Sequence, residues 1–591
     1  MSQQSRSGAS TARRGRSQIR LRWGFLVIAI VLSVFAARLV QLQAFDPGAY
    51  AAAAAASNIQ NVTLPATRGT ITDRNGKPLA DSVDGLAITA DPTLVTPDQA
   101  PALATFLANK LGVDYAATLA ALRKPDSRFQ YIAHQVPARK ANAVLAEARS
   151  QGYNALYSQR DPIREYPAHD VAANLIGFMG TDGALGGIEH SFNDMLAGTD
   201  GKETYEVAAN GTRLPLGSSS TVEPVDGADI KLTIDSDLQW YVQRVLRQAD
   251  EAANAVNGMA VVIDTKTGQV LALADDPTFD ADDPSASPAA DLGARSLSQV
   301  YEPGSVEKTL TVSSLIDAGK ITDTTREVVP GALYREDTVI HDAWSHGTLH
   351  WTLAGVIAQS SNIGTVLAAD RFGDGQLHAY LEKFGLGQRT NIGIQGESPG
   401  ILPTMKQWNH EIQDRIAFGQ SVSVNALQMA AAVNTIANGG VRIDPEIVMG
   451  KATTDTGDVV GTDVATKRRV ISKKAATEMM MMMERVTDPA TGGGYEGLVP
   501  GYRTAGKTGT AQRVNEDCGC YDGSHTFSFA GFAPADKPRF TVYVAINVPP
   551  STAGSGGGTA GPVFEKIMSY ALHKYGVAPT GTKASQLPTT W

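Results

Sequence analysis

The sequence predicts an α+β fold in three parts. A single N-terminal membrane-spanning helix carries an elongated mixed domain, and beyond that lies one large α+β domain whose sheet joins both ends of its segment. Three observations predict it. An apolar run follows directly on a cluster of arginines, Gly, Ser and Pro punctuate residues 217–227, and past residue 229 the order becomes β-hairpin, helices, β-sheet.

The anchor comes first. Arg6, Arg13, Arg14, Arg16, Arg20 and Arg22 stand in a tail (1–22) that has no acidic residue. Residues 23–37 are then apolar apart from Ser33, and Leu39, Val40 and Leu42 extend the run past Arg38. A bilayer core needs about 20 helical residues, so a span over 23–43 requires Arg38 to snorkel outward. The arginines ahead of it predict a cytoplasmic N-terminus with the rest of the chain outside. The competing readings are a cleaved signal peptide and a buried core helix, and Ala36-Ala37 before Arg38 is a poor cleavage site. The Ala-rich residues 50–56 have the propensity to prolong the helix.

The middle part, 44–228, opens on a strand and a tight Asn75-Gly76 turn. It continues with helical spacing over 102–111 and 140–150, a glycine loop leading into a short helix over 183–192, and strand and loop from 202. The large domain, 229–577, begins with an amphipathic helix over 238–255. A hairpin follows, with strands 259–264 and 269–274 around Lys266-Thr267-Gly268. Helices including 426–437 lead to a final β segment through 503–511, 526–533 and 539–548, then a helix over 563–575. Residues 578–591, rich in Pro and Thr, read as a tail on the surface.

Composition excludes several classes. The 591 residues are 43% hydrophobic and 19% charged, which disfavours wholesale disorder and a multi-span membrane protein. Two cysteines make neither a disulfide scaffold nor a multi-site zinc protein. The net charge of −9 argues against nucleic-acid binding, and it leaves −15 on the remainder once the six arginines of the tail are set aside.

The chemistry rests on three short motifs. Ser305-Val-Glu-Lys308 follows Glu302-Pro-Gly304, and Ser305 is the only serine with lysine three residues on. With a helix beginning at about Ser305, Ser305 and Lys308 share one face. A serine hydroxyl needs a base, and a lysine serves when burial and neighbouring cations keep it neutral. The helix start also brings backbone N–H groups and a positive dipole near a developing oxyanion. Ser360-Ser-Asn362 adds a hydroxyl able to relay a proton and an amide able to orient Lys308. Lys507-Thr508-Gly509-Thr510 offers a cation and hydroxyls for a substrate carboxylate, with Gly509 allowing close backbone approach. Decoys exist: Ser191-Phe-Asn193 and Ser423-Val-Asn425 repeat the second pattern, and Lys266-Thr267-Gly268 repeats the third at a hairpin tip. Ser423 is the real competitor, and Ser360 is preferred.

The order of these motifs resembles that of the penicillin-recognising serine acyltransferases. Together with Phe418-Gly-Gln-Ser421, Leu427-Gln428, Ala505-Gly506 and Ser528-Phe-Ala-Gly-Phe532, they resemble the class B penicillin-binding proteins, nearest to the cell-division (FtsI-type) branch in its actinobacterial form. The middle part is similar at Arg68-Gly69, Asp73-Arg74-Asn75-Gly76, Arg164-Glu-Tyr-Pro167 and Gly186-Gly-Ile-Glu189. Glu307 departs from the pattern, standing where many relatives carry an aromatic or neutral residue. At i+2 from Ser305 it is expected to point off the catalytic face.

The resemblance implies a pedestal of the dimerisation type and a transpeptidase domain with a central antiparallel sheet flanked by helices. It implies a peptidoglycan D,D-transpeptidase of septal wall synthesis that β-lactams inhibit. Ser305 would attack the penultimate D-Ala of a D-Ala-D-Ala stem peptide, with Lys308 as base, Ser360 as relay and Asn362 orienting. Backbone N–H groups of Ser305 and Thr510 would form the oxyanion hole. Lys507, Thr508, Gly509 and Thr510 would hold the donor. Expected partners are a polytopic glycan polymerase and other division membrane proteins in the cytoplasmic membrane, with no cofactor and no metal. The competing functions are an anchored D,D-carboxypeptidase or β-lactamase-like hydrolase, and a non-catalytic β-lactam-binding scaffold.

Other features stay open. Cys518-Gly-Cys520, near His525, reads as a loop disulfide, as free thiols, or as an incomplete zinc site. Met479 to Met483 are expected on a helix, partly in the core and partly exposed. His341, Asp342, Trp344 and His346 either line a cleft or build a structural loop. Tyr166 and Glu189 are expected to serve packing or an interface.

Overall fold

The computed structural model describes residues 17–41, 59–180, 183–208, 213–335, 338–515 and 518–591. Arg6, Arg13, Arg14 and Arg16, and the predicted helical extension over 50–56, lie outside the described residues. The chain divides into two compact units, residues 1–64 with 200–224 and residues 65–199 with 225–591.

In the first unit, helix α1 (Ser17–Val40) is the one helix among the described residues long and apolar enough to cross a membrane. It starts earlier than residue 23 and takes Arg20 and Arg22 into its first turns. Its apolar side chains are exposed throughout, and a helix satisfies its own backbone in lipid, so α1 is a candidate single-pass membrane span. The same unit holds an antiparallel sheet of three strands, Ile59–Leu64, Gly201–Glu206 and Ser219–Val222.

In the second unit, residues 65–199 contribute to three small sheets, one of them the hairpin Phe178–Gly180 with Gly183–Leu185. Another pairs Gly85–Ala90 between Gln130–Pro137 and Leu156–Arg160, and the helices Ala100–Leu111 and Ala138–Ser150 bury Leu103, Leu107, Val144 and Leu145 with it. The third centres on Ile71–Thr72 and Pro78–Val83, which the Asn75-Gly76 turn connects. Glu189 is fully buried, and a buried carboxylate needs partners. It accepts hydrogen bonds from Arg68 Nε at 2.6 Å, Arg164 Nε at 2.7 Å and Tyr166 Oη at 3.3 Å. These motif residues are therefore one packed ionic knot.

The large domain is built on five antiparallel strands, β1 (Asn257–Asp264), β2 (Val270–Asp276), β3 (Ala505–Asn515), β4 (Cys520–Ala533) and β5 (Phe540–Val548), in the order β2-β1-β5-β4-β3. The hairpin that opens the domain thus pairs with the last strand, as expected of a sheet joining both ends. Alternate residues of β1 feed two cores, Met259, Val261 and Ile263 on one face and Ala260 and Val262 on the other. Helices α2 (Ser236–Ala253) and α8 (Gly561–Lys574) cover the second face with Leu238, Val242, Phe564 and Ile567. The first face carries α3 (Lys308–Asp317), α4 (Leu353–Ala358), α5 (Asn362–Ala369), α6 (Ala426–Ala437) and α7 (Lys473–Thr487). Covered on both faces, β1 is buried along its whole length, which is why it reads as an apolar run without polar alternation.

Of the five methionines on α7, Met479, Met482 and Met483 are core and the other two half-buried, so none is exposed. The tail is packed: Arg485 Nη1 donates to Ser585 O at 3.1 Å, and Trp591 donates to the carbonyls of His350 and Trp351.

Candidate active site

Three elements converge beside β3. The nucleophile motif differs locally from expectation, because Gly304–Val306 is a 3₁₀ turn and the α-helix begins only at Lys308. Gly304 has φ +54°, and a side chain there would meet the Thr510 carbonyl at 3.1 Å. Gly509 is required for the same packing: a Cβ would lie 2.2 Å from Ser528 Oγ and 3.1 Å from the Pro303 carbonyl. The Ser305 turn is thus pressed onto the Lys507–Thr510 strand, and Ser305 itself is half-buried.

Lys308 is fully buried. Its Nζ donates to Ser360 O at 2.5 Å, to Asn362 Oδ1 at 2.6 Å and to Ser360 Oγ at 3.3 Å. Burial pushes its ammonium down to about 7, against the opposing pull of Asp342 and Glu307. Lys507, also fully buried, donates to Ser360 Oγ at 2.8 Å and to the Thr508 carbonyl at 3.0 Å. Burial, and then the charge of Lys308, hold it well below the usual lysine range. Ser360 Oγ therefore bridges the two lysines, and two cations sharing one hydroxyl release a proton more readily than either alone.

Ser360 has φ +61°, a conformation that a residue other than glycine holds only when its surroundings impose it. Asp342 supplies the restraint. It accepts from Ser361 Oγ at 2.7 Å, Asn362 N at 2.5 Å, Ile363 N at 3.0 Å and His346 Nε2 at 3.0 Å. Ser361 Oγ in turn accepts from Gly364 N and caps α5. The His341–His346 segment is thus a clamp on the second motif. Nothing local in the sequence marks Asp342 for this, since its Ser361, Asn362 and Ile363 partners lie 19–21 residues further on.

Glu307 is fully buried and takes both of its hydrogen bonds from Thr311 Oγ1, at 2.9 Å each. Burial drives its carboxyl well above the ordinary range, against the hydrogen bonds from Thr311 and the charge of Lys308. Cys518 and Cys520 form a disulfide at the β3–β4 hairpin end. The neighbouring Tyr521 donates to Glu302, which also accepts from Ser421 N at 2.8 Å. The decoys have other tasks: Asn425 caps α6, Asn193 accepts from Arg68, and Ser423 pairs by backbone with Ile401.

A buried lysine pair bridged by a serine hydroxyl, beside a half-buried serine on a turn packed against a Lys-Thr-Gly strand, defines a serine acyltransferase of the penicillin-recognising class. Residues 258–569 match the penicillin binding protein transpeptidase domain and residues 63–232 the penicillin-binding protein dimerisation domain, and the chain belongs to the class B penicillin-binding protein family. It is 37% identical to penicillin-binding protein PbpB of Mycolicibacterium smegmatis, over 94% of this chain and 90% of that protein. It is 30% identical to the peptidoglycan D,D-transpeptidase FtsI of Escherichia coli K12, over 95% and 93%. Among solved structures, penicillin-binding protein 3 of Mycobacterium tuberculosis complexed with aztreonam aligns with a TM-score of 0.68 at 31% identity, over 90% of this chain and all of that one. A peptidoglycan synthetase from Bifidobacterium adolescentis aligns at 0.72 and 30%, over the same shares.

Proposed function

We propose that the protein is a peptidoglycan D,D-transpeptidase that crosslinks stem peptides through an ester on Ser305 during septal wall synthesis, and that β-lactams acylate the same serine. The observation that carries this is the Lys308–Ser360–Lys507 array beside Ser305. Lys308, with its ammonium near 7, is neutral in a large fraction of molecules at neutral pH and takes the Ser305 proton as Oγ attacks the penultimate D-Ala carbonyl. Ser360 Oγ, in contact with both lysines, passes a proton to the departing D-Ala amine. Asn362 holds Lys308 in place, and Lys507, Thr508 and Thr510 with the bare Gly509 edge receive the donor carboxylate. An amine of a second stem peptide attacks the ester, its proton returns through Lys308 to Ser305, and the peptide bond closes the crosslink.

The basic tail 1–22 belongs in the cytoplasm, 23–43 in the membrane, and the pedestal 44–228, catalytic domain 229–577 and tail 578–591 outside, by the excess of arginine ahead of the span. A laterally associated polytopic glycan polymerase fits an enzyme that needs freshly made strands. Incubation with labelled penicillin tests the assignment: the full chain is labelled stably and Ser305→Ala is not. Labelling of the variant overturns the nucleophile, and fast release of label into water points to a hydrolase.

A further inference from the structure

Outside the catalytic array, the large domain holds a cavity of about 710 Å³ whose walls include Arg389, Glu397, Asp444, Glu446, Asp458 and Val460. Neither Ser305, Lys308, Ser360 nor Lys507 lines it. Its wall is built on the pedestal: Gln395 N donates to Ser191 Oγ and Asp455 N to the Ser191 carbonyl, both at 2.9 Å.

Glu446 distinguishes this cavity from an ordinary acidic surface. Only 5% of it is exposed, one carboxylate oxygen accepts from Gly461 N at 2.9 Å, and the other has no hydrogen-bond partner among the described residues. No ion pair to it is formed there either. Burial, reinforced by Asp444, pushes its carboxyl up to about 7. The free oxygen opens on the cavity, and a cation that reaches it there offsets the cost of confining the charge. Asp444, by contrast, has Arg442 at 3.5 Å and Arg468 at 3.8 Å.

The described acids of this cavity do not form a three-ligand metal cluster. Among the described residues, only His169, Asp280 and Asp282 bring three ligand atoms within 4.8 Å of one another, and they lie elsewhere. The carboxylates here surround a space of ligand size, beside the apolar Val460 and Val464. We propose that this cavity binds an organic cation, a primary ammonium on a short aliphatic arm, with Glu446 as its main counter-charge and the valines against its alkyl part. The free side-chain amine of a wall peptide and a free diamine share this chemistry.

Calorimetric titration of the detergent-solubilised full chain with 1,5-diaminopentane tests it, with 1,5-pentanediol, magnesium chloride and a lysine-containing tripeptide as parallel arms. The diamine binds and the diol does not. Glu446→Gln, which keeps an acceptor for Gly461 N, weakens binding about tenfold or more. Asp458→Lys, at an exposed position, weakens it as well, and penicillin acylation stays unchanged in both variants. Tighter binding of the tripeptide than of the diamine assigns the wall peptide, and the reverse assigns the free diamine. Equal binding of diol and diamine, displacement of the diamine by millimolar magnesium, or full-strength binding to Glu446→Gln overturns the proposal. Acylation is read separately, so failure of the catalytic assignment is distinguishable from failure of this one.

Discussion

The tripeptide Lys-Thr-Gly occurs twice, and the two copies have opposite surroundings. At 266–268 it closes the β1–β2 hairpin: Asp264 Oδ1 accepts from the Lys266 and Thr267 amides, Gly268 takes φ +78°, and Lys266 Nζ donates to Asn438 Oδ1 at 3.2 Å. At 507–509 the same residues lie inside an 11-residue strand, Lys507 is fully buried against Ser360, and Gly509 is needed because Ser528 and Pro303 crowd its α-carbon. The difference teaches that the catalytic character of the second copy comes from what it packs against. Asp264 makes the first copy a turn, while pairing with β4 makes the second a strand edge.

That contrast gives graded predictions. Lys308→Ala removes the base common to both half-reactions and lowers the penicillin acylation rate by about 10³-fold, within the range for general base catalysis. Lys507→Ala lowers it by about 10²-fold, read by stopped-flow with a fluorescent penicillin. Equal losses from Lys266→Ala and Lys507→Ala would break the comparison. Gly509→Ala drives a methyl into Ser528 Oγ and the Pro303 carbonyl, displacing the Ser305 turn; acylation drops by about tenfold or more while the protein remains folded by circular dichroism.

The pH profile sharpens the contrast. As the proposed base, Lys308 acts only when neutral, so acylation rises as pH passes upward through about 7 and falls below it. Burial, not the charge of Lys507, sets the Lys308 ammonium, so Lys507→Ala lowers the rate while its midpoint stays near 7, and Lys266→Ala changes neither. The smallest effects fall on the turn copy. Gly268→Ala costs about 1–3 kcal/mol of stability, through its positive φ and a Cβ 2.7 Å from Ile443 Cγ2 and 2.9 Å from the Asp444 carbonyl, measured by thermal unfolding, and Lys266→Ala stays within about 0.5 kcal/mol.

Much of this arrangement was legible in the residues. The hairpin strands of β1 and β2, the helices that cover them and the order of the three motifs follow from periodicity and spacing. In the structure Ser360 touches both lysines, while Ser423 pairs by backbone with Ile401. What stayed hidden depends on long-range contact. The φ of Ser360 and the Asp342 clamp arise only when the 341–346 segment folds over the start of α5. The 3₁₀ turn at Ser305 follows from the pressure of Thr510 and Gly419 on Gly304, which no local propensity encodes. Burial of Glu307 was invisible for the same reason, since its carboxylate accepts from Thr311, one helical turn ahead, and both are covered by distant elements.

Peptide mapping by mass spectrometry of the full chain after exposure to benzylpenicillin tests the central claim most directly. A single penicilloyl adduct on Ser305, absent from Ser305→Ala and formed far more slowly in Lys308→Ala, is the predicted result. An adduct on Ser360 or Ser423, or an unmodified chain under conditions where the protein is folded, would contradict it.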